Sequence, residues 1–273
     1  VTVESFQPSG APPRAIDRRY KAPGRGYILA HMLSNFPRLR FGNVVFDLDG
    51  TLVDSLPGIE ASLRVAVARL HPRRTLAEGA LRPLIGPLLP KIMAMLWPDL
   101  TPAEITALVA EYRADYLLEN CARSAPFPGV SDLLQDLHAA GARLFLLTNK
   151  PQTMARLILN RQGWTPLFTE IACPDDPQHS FANKAAGAVS LRDRHGLAPA
   201  ETLLLGDARD DAEAAAAAGF HFVRASYGYG KPAGHGNSSG EREAQIDTFA
   251  DLRRLVFDPA PDLPTDDHPQ PLR

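Results

Sequence analysis

Three short clusters of polar side chains, each at the end of an apolar run, carry the chemistry available to this chain. Asp47 and Asp49 follow Val44-Val45-Phe46 and lead into a Gly50-Thr51 turn, Thr148 and Asn149 follow Leu144-Phe145-Leu146-Leu147, and Asp207 and Asp211 follow Thr202-Leu203-Leu204-Leu205. Several carboxylates in one cleft repel unless a hard cation stands among them, and aspartate oxygens suit Mg2+, which takes few protein carboxylates and keeps waters. With Lys184 added, the set can bind a phosphoryl group. Cation and ammonium neutralise its equatorial oxygens, while Thr148 and the turn amides of Gly50 and Thr51 donate hydrogen bonds. Asp47 is then a candidate nucleophile, whose attack would give an aspartyl-phosphate. Asp49 is the candidate acid and base, protonating the leaving oxygen and later deprotonating water. The plain alternative for the first pair is an acidic turn after a strand, and the two later clusters weigh against it.

Bringing these clusters together requires parallel strands that end at one edge, the place where open α/β sheets bind ligands. Val44-Val45-Phe46 reads as a buried strand, and residues i and i+2 of an extended strand point to the same side, so both acids reach one substrate if the strand persists through them. From residue 56 the period turns helical. Ile59, Leu63, Val67 and Leu70 form a stripe, and Thr75-Leu76-Ala77-Glu78 and Thr101-Pro102-Ala103-Glu104 both have the form of a capping box. Ile105, Leu108, Val109, Tyr112, Tyr116 and Leu117 share one face of the helix that Pro102 opens. No strand-like segment interrupts 56–124, which reads as a helical insert. Alternation then resumes: a helix with Val130, Leu133, Leu134 and Leu137 inward, stopped by Gly141; a strand over 142–147; a helix with Met154, Leu157 and Ile158 inward; a short strand near 169–173; a polar loop over 174–183; a helix from Lys184 to Gly196. The strand at 202–205, the alanine-rich helix 212–218, a strand at 221–223 and a last helix through Phe249, Leu252, Leu255 and Val256 complete it. Repeated strand–helix units predict a doubly wound, Rossmann-like parallel sheet of the α/β class.

Composition narrows the rest. With 273 residues, 45% hydrophobic, and a net charge of −2, the chain can build a large core and gives no reason to expect nucleic acid or an anionic membrane as a partner. Its two cysteines, Cys121 and Cys173, have no ligand spacing and point to a reducing cytoplasm. No apolar run approaches the ~20 residues that span a bilayer, and Tyr27-Ile28-Leu29-Ala30 is too short for a signal peptide. Residues 1–42, with scattered proline and glycine, read as a partly disordered extension, and 258–273 as a disordered Pro/Asp-rich tail.

The motifs, in this order, resemble the haloacid-dehalogenase-like hydrolase superfamily. Asp47-Leu48-Asp49-Gly50-Thr51-Leu52-Val53-Asp54-Ser55 is similar to its first motif, Leu147-Thr148-Asn149-Lys150 to its second, Lys184 to its third and Gly206-Asp207-Ala208-Arg209-Asp210-Asp211 to its fourth. The resemblance covers about residues 43–257. It implies a core made of 43–55 and 125–257, with the insert 56–124 as an α-helical cap. Arg82-Pro83-Leu84-Ile85-Gly86-Pro87 and Tyr112-Arg113 are similar to the phosphoglycolate-phosphatase-like branch. The resemblance implies catalytic roles for Asp47, Asp49, Thr148 and Lys184, substrate contacts from Gly50, Thr51, Asn149 and Arg113, and Mg2+ held by Asp47, the Asp49 carbonyl and Asp207, with Asp211 in support. The expected activity is Mg2+-dependent hydrolysis of a small phosphorylated metabolite, a phosphomonoester like phosphoglycolate, through an aspartyl-phosphate. A phosphomutase shares the same motifs and is the first alternative, and an idle binding protein the second. Asp49 argues against the dehalogenase and phosphonatase branches, which lack an acid there.

Two features depart from the family pattern. Ala185 follows Lys184 where proline is usual, and Asp210 adds negative charge beside the metal ligands, either supporting them or capping the next helix. Arg82, Lys91 and Arg113 are candidates for meeting a substrate carboxylate. Lys150 reads as a solvated lysine at a helix start that could also lie near the phosphate, and His138, His179, His195 and His221 as surface or packing residues.

Overall fold

The computed structural model describes residues 38–230 and 244–257, and the fold follows from how its apolar strands divide their side chains between two faces. The first strand, β1 (Asn43–Phe46), is followed by β2 (Val53–Asp54) and helix α1 (Leu56–Leu70). Then come α2 (Leu89–Leu96), α3 (Pro102–Asp115), β3 (Ala125–Pro126) and α4 (Val130–Ala139). The chain continues through β4 (Arg143–Leu147), α5 (Gln152–Gln162), β5 (Phe168–Ala172), α6 (Lys184–His195), β6 (Thr202–Gly206) and α7 (Arg209–Ala218), and ends with β7 (His221–Ala225), β8 (Ala244–Ile246) and α8 (Phe249–Val256). Six strands form one sheet in the order β5-β4-β1-β6-β7-β8, every pairing parallel. This is the α/β architecture read from the sequence.

Alternation along each central strand sends odd and even residues to opposite cores. Val44 and Phe46, with Leu144, Leu146, Leu203 and Leu205, pack with Leu134 of α4, Ile158 of α5 and Leu252 of α8. Val45, Phe145, Leu147 and Leu204 pack with Leu191 of α6 and Ala214, Ala215 and Ala218 of α7. The register is level at the carboxyl edge: Phe46 lies opposite Leu146 of β4 and Leu205 of β6, so the residues that follow all three strands emerge together. β1 is central, and the Asp47 amide still donates to the Leu205 carbonyl at 3.0 Å.

The segment from Leu56 to Arg123 is helical throughout its regular elements and leaves and rejoins the sheet through a two-stranded antiparallel ribbon, Val53 opposite Pro126 and Asp54 opposite Ala125. Thr101 makes the predicted capping box with Glu104, whereas Thr75–Glu78 lies in irregular chain and caps nothing. Three predicted inward residues face out instead. Leu70 at the last position of α1 is exposed, as is Leu157 on α5, where Ala155 and Leu159 fill the inward positions. Leu117 is exposed because α3 widens into a π turn over Tyr116–Asn120, which adds a residue to the turn and rotates the following side chains off the α-helical stripe.

Residues 38–42, included in the sequence-predicted extension, run beside α8: Leu39 pairs with Phe257, and the Arg40 amide donates to the Val256 carbonyl at 2.9 Å. The rest of the extension and the tail 258–273 lie outside the described residues. No described helix is long and apolar enough to cross a membrane, and Cys121 and Cys173 are buried free thiols.

Candidate active site

Every cluster singled out by chemistry lies at the carboxyl edge of β1, β4 and β6. Asp47, two residues after Val45, stays on the face covered by α6, and the first residue of that helix is Lys184. The Asn183 side chain caps α6 by accepting from the Ala186 amide at 2.9 Å, and Gly187 lets the helix lie close, since a Cβ there would meet Leu147 and Phe181 at 2.9 Å. The buried Lys184 ammonium donates to Asp47 Oδ1 at 2.8 Å and to Asp211 Oδ1 at 2.7 Å. With Ala185 in place of proline, the lysine still reaches Asp47 and Asp211.

Asp47, Asp207 and Asp211 are buried, and each offers an oxygen within 4.8 Å of the others, an arrangement that could hold a metal ion. Its construction depends on close backbone approach. Gly206 admits Asp211, whose side chain would lie 2.2–2.4 Å from a Cβ at that position. Asp207 is held by Thr51 Oγ1 at 3.4 Å and by the amides of Tyr229 and Gly230 at 2.6 and 3.0 Å. Gly50, at φ +86°, puts its α-carbon where a Cβ would be 2.5 Å from Asp207 Oδ2. Gly50 and Thr51 thus build the site by shaping the surroundings of Asp207.

The electrostatics follow from three acids facing one ammonium out of water. Burial, and then neighbouring carboxylates, push Asp47, Asp207 and Asp211 up to about 7, against the pull of Lys184 and, for Asp207, of its amide donors. Burial works against the Lys184 ammonium, but the carboxylates around it, Asp211 foremost, hold its pKa above the ordinary lysine range. The cluster keeps two net negative charges when all three acids ionise beside one lysine. A divalent cation would balance that charge, and the all-oxygen donor set suits a hard ion.

Asp49 stands apart. The strand ends at Phe46, and the second acid turns to a different lysine: Lys150 Nζ donates to both Asp49 oxygens at 2.8 and 2.9 Å. Lys150 is buried, with its ammonium 4.8 Å from the centre of the Tyr116 ring, which corrects the reading of a solvated helix-start lysine. Thr148, also buried, accepts from the Lys150 amide at 3.1 Å and keeps its hydroxyl proton to donate. Asn149 donates to the Gly86 carbonyl at 2.8 Å and to Asp210 at 2.6 Å, so its amide hydrogens clasp the insert to the core. Asp210 is accordingly a partner of Asn149, 3.9 Å from Lys184, while the amide of Ala208 before α7 is taken by Asp211 at 3.0 Å.

A cavity of about 70 Å³ opens above these groups, lined by Asp47, Asp49, Thr148, Asn149 and Lys150 below and by side chains of the insert above. Of the three cations proposed in the insert only Arg113 lines it. Arg82 donates instead to the Gly228 carbonyl at 3.0 Å and lies over the Tyr229 ring, and Lys91 is exposed away from the cavity. The histidines stay outside: His138, His179 and His221 are exposed, and His195 bonds Glu170 at 2.5 Å.

Tyr229 escaped the sequence reading. Its hydroxyl accepts from the amides of Ser55 and Leu56 at 2.8 and 3.0 Å and donates to Asp54 at 2.7 Å, capping α1 where the insert begins. The signal was the flanking pair Gly228 and Gly230, where a Cβ would lie 2.0–2.2 Å from Asp207 atoms.

Residues 44–225 match the family model for haloacid dehalogenase-like hydrolases. Over 197 residues the chain is 34% identical to the phosphoglycolate phosphatase of Xylella fastidiosa, covering 71% of this chain and 82% of that protein. Over 189 residues it is 35% identical to the tyrosine-protein kinase PtkA of Mycobacterium tuberculosis, covering 69% of this chain and 63% of that one. Among solved structures, the predicted phosphoglycolate phosphatase of Haemophilus somnus superposes with a TM-score of 0.68 at 27% identity, over 79% of this chain and 98% of that one.

Two measurements check this construction. A carboxyl whose pKa is higher in the folded than in the unfolded chain favours folding in acid, and that contribution is lost as pH rises through about 7. The cation-free protein should therefore melt lower at pH 8 than at pH 5.5, while MgCl2 binds about tenfold or more tightly at the higher pH and releases protons, read by calorimetry in two buffers. Tyr229→Phe should lower the urea unfolding free energy by about 1–2 kcal/mol, because it strips the cap from two amides.

Proposed function

Since the chain belongs to the haloacid dehalogenase-like hydrolases, we propose that it is a Mg2+-dependent phosphatase acting on a small phosphomonoester through an aspartyl-phosphate on Asp47. The observation that carries this reading is the division of two neighbouring carboxylates between two buried lysines, Asp47 on Lys184 and Asp49 on Lys150, at the floor of one cavity. Relatives named for phosphoglycolate hydrolysis and for tyrosine phosphorylation both move phosphoryl groups, which supports the same class of chemistry.

Asp47, Asp207 and Asp211 would hold the cation, together with the Asp49 carbonyl. Bound there, Mg2+ supplies charge neutralisation for the phosphoryl oxygens. Lys184 keeps Asp47 oriented and adds positive charge beside the phosphoryl group, and the Thr148 hydroxyl donates to it. An Asp47 oxygen attacks phosphorus, and the bond from phosphorus to the alcohol oxygen breaks. Asp49, in its protonated form, hands its proton to that oxygen, and the alcohol leaves. Asp49, now the carboxylate that Lys150 grips, then takes a proton from water, which attacks phosphorus and releases inorganic phosphate with Asp47 restored. The helical insert acts as a cap that keeps bulk water from the ester during transfer. Arg113 is the cap cation placed to meet a substrate carboxylate.

Asp47→Asn should reduce phosphate release to background in a folded protein, and Asp49→Asn should slow it by about 10²–10⁴-fold through loss of acid–base help. Near-normal turnover by Asp47→Asn would sink the nucleophile assignment, and a requirement for a bisphosphate activator with no free phosphate formed would favour the mutase. Arg113→Ala should raise KM for phosphoglycolate about tenfold while leaving that for ethyl phosphate nearly unchanged, a difference of about 1.4 kcal/mol in the carboxylate contact.

A further inference from the structure

The cavity is polar below and apolar above, and that asymmetry bears on the alcohol half of the ester. Ile59, Ile85, Leu89 and Ile92 of the insert, with Met154 of α5, line the same cavity as the carboxylates. From the insert's side chains, the only polar atoms on the lining belong to Tyr112 and Arg113. The floor adds few groups for an alcohol. Two hydrogens of the Lys150 ammonium go to the Asp49 oxygens and the Asn149 amide hydrogens go to Gly86 and Asp210, which leaves the buried Asn149 Oδ1 as one acceptor without a partner among the described residues. Thr148 retains one donor, which faces the phosphoryl position in the proposed reaction.

A sugar or nucleoside buried here would set several hydroxyls against aliphatic carbon. Each hydroxyl moved from water to such a wall without a partner loses its hydrogen bonds to water and gains none in return. An alkyl or aryl alcohol carries no such penalty and gains from contact with the same wall. We propose that the phosphomonoester hydrolysed at this site is that of a compact, hydroxyl-poor alcohol, alkyl or aryl, rather than of a sugar or a nucleoside. This assignment of substrate class rests on the phosphatase reading above. Arg113 at the rim allows one anionic group on that alcohol, and the isoleucine and leucine wall sets its body.

The test uses the full chain with Mg2+ and measures phosphate release from n-butyl phosphate and phenyl phosphate against glucose 6-phosphate and adenosine 5′-monophosphate. The expected result is a kcat/KM at least about a hundredfold higher for the first pair, the size of discrimination that pocket contacts of this kind supply. Equal or better turnover of the sugar phosphate or the nucleotide overturns the inference and leaves the phosphatase reading standing. Hydrolysis of none of the four, nor of phosphoglycolate, overturns the phosphatase reading itself and the inference with it. A second variant isolates the wall. Leu89→Gln, at the half-exposed start of α2, puts an amide on the lining and should narrow the butyl-to-glucose ratio at least about fivefold. An unchanged ratio, in a variant whose circular dichroism matches the parent, overturns the wall as the selecting element.

Discussion

The interaction on which the rest depends is the buried ammonium of Lys184 between the carboxylates of Asp47 and Asp211. Removing such groups from water is costly, and a single ion pair rarely recovers the loss unless its remaining lone pairs are satisfied. Here the second oxygen of Asp211 takes the Ala208 amide at 3.0 Å, and backbone is brought close around the whole carboxylate cluster. β1 and β6 lie side by side in level register, so the residues that follow them meet. Gly206 yields space to Asp211, the Gly228–Gly230 turn presses its amides on Asp207, and Gly187 draws α6 inward so that its first residue reaches the cluster. Gly50, Gly206, Gly228 and Gly230 each stand where a side chain would have collided with Asp207 or Asp211.

The same cluster is incomplete in charge. One ammonium among three acids leaves an excess that burial magnifies, which is why burial and mutual repulsion raise all three carboxyls together. Two amides already donate to Asp207, yet hydrogen bonds do not supply net charge. Only protons or a cation can do so, and near neutral pH these compete for the same oxygens. The second acid is held differently: Lys150 donates to both Asp49 oxygens and Lys184 to Asp47, although only Leu48 separates the two acids.

How much of this could be read from the chain follows from the range of the interactions. Strand ends, helix stops at Gly141 and Gly196, the Thr101 cap and the three polar clusters are local patterns of type and spacing, and the sheet placed the clusters at one edge as expected. Lys184 was legible despite Ala185 because no other lysine lies between Lys150 and Asp207. What was illegible needed contact across the insert. Lys150 looks solvated until Tyr116, from the π turn, closes over it. The bond from Asn149 to the Gly86 carbonyl joins residues far apart in sequence, and no local pattern announces it. Arg82 and Arg113 are equivalent as letters, and only the packing of α1 to α3 assigns one to Gly228 and the other to the cavity. Leu117 failed for a related reason, because a single widened turn breaks a helical stripe that periodicity alone extends.

Those cross-insert contacts also define how the insert is joined to the core. Three of them, Asn149 to Gly86, Arg82 to Gly228 and Lys150 beneath Tyr116, link residues of the insert to groups one or two steps from the carboxylates. They differ in kind from the Tyr229 contact. The Tyr229 hydroxyl grips the amides of Ser55 and Leu56, at the point where the chain enters α1, so a rotation of the insert about that point need not break it. Tyr116 holds the other connection as well, through its hydroxyl to Ser124, and Arg82 meets the loop that carries Tyr229. Tyr229 therefore fixes the entry of the insert, while Gly86 meets the core beside the cavity. The loop that carries Tyr229 also donates its backbone to Asp207, so the anchor of the insert and the carboxylate cluster share one stretch of backbone. In the proposed reaction, anchorage of the first helix of the insert and placement of the cation's ligand are thus properties of the same three residues, Gly228 to Gly230.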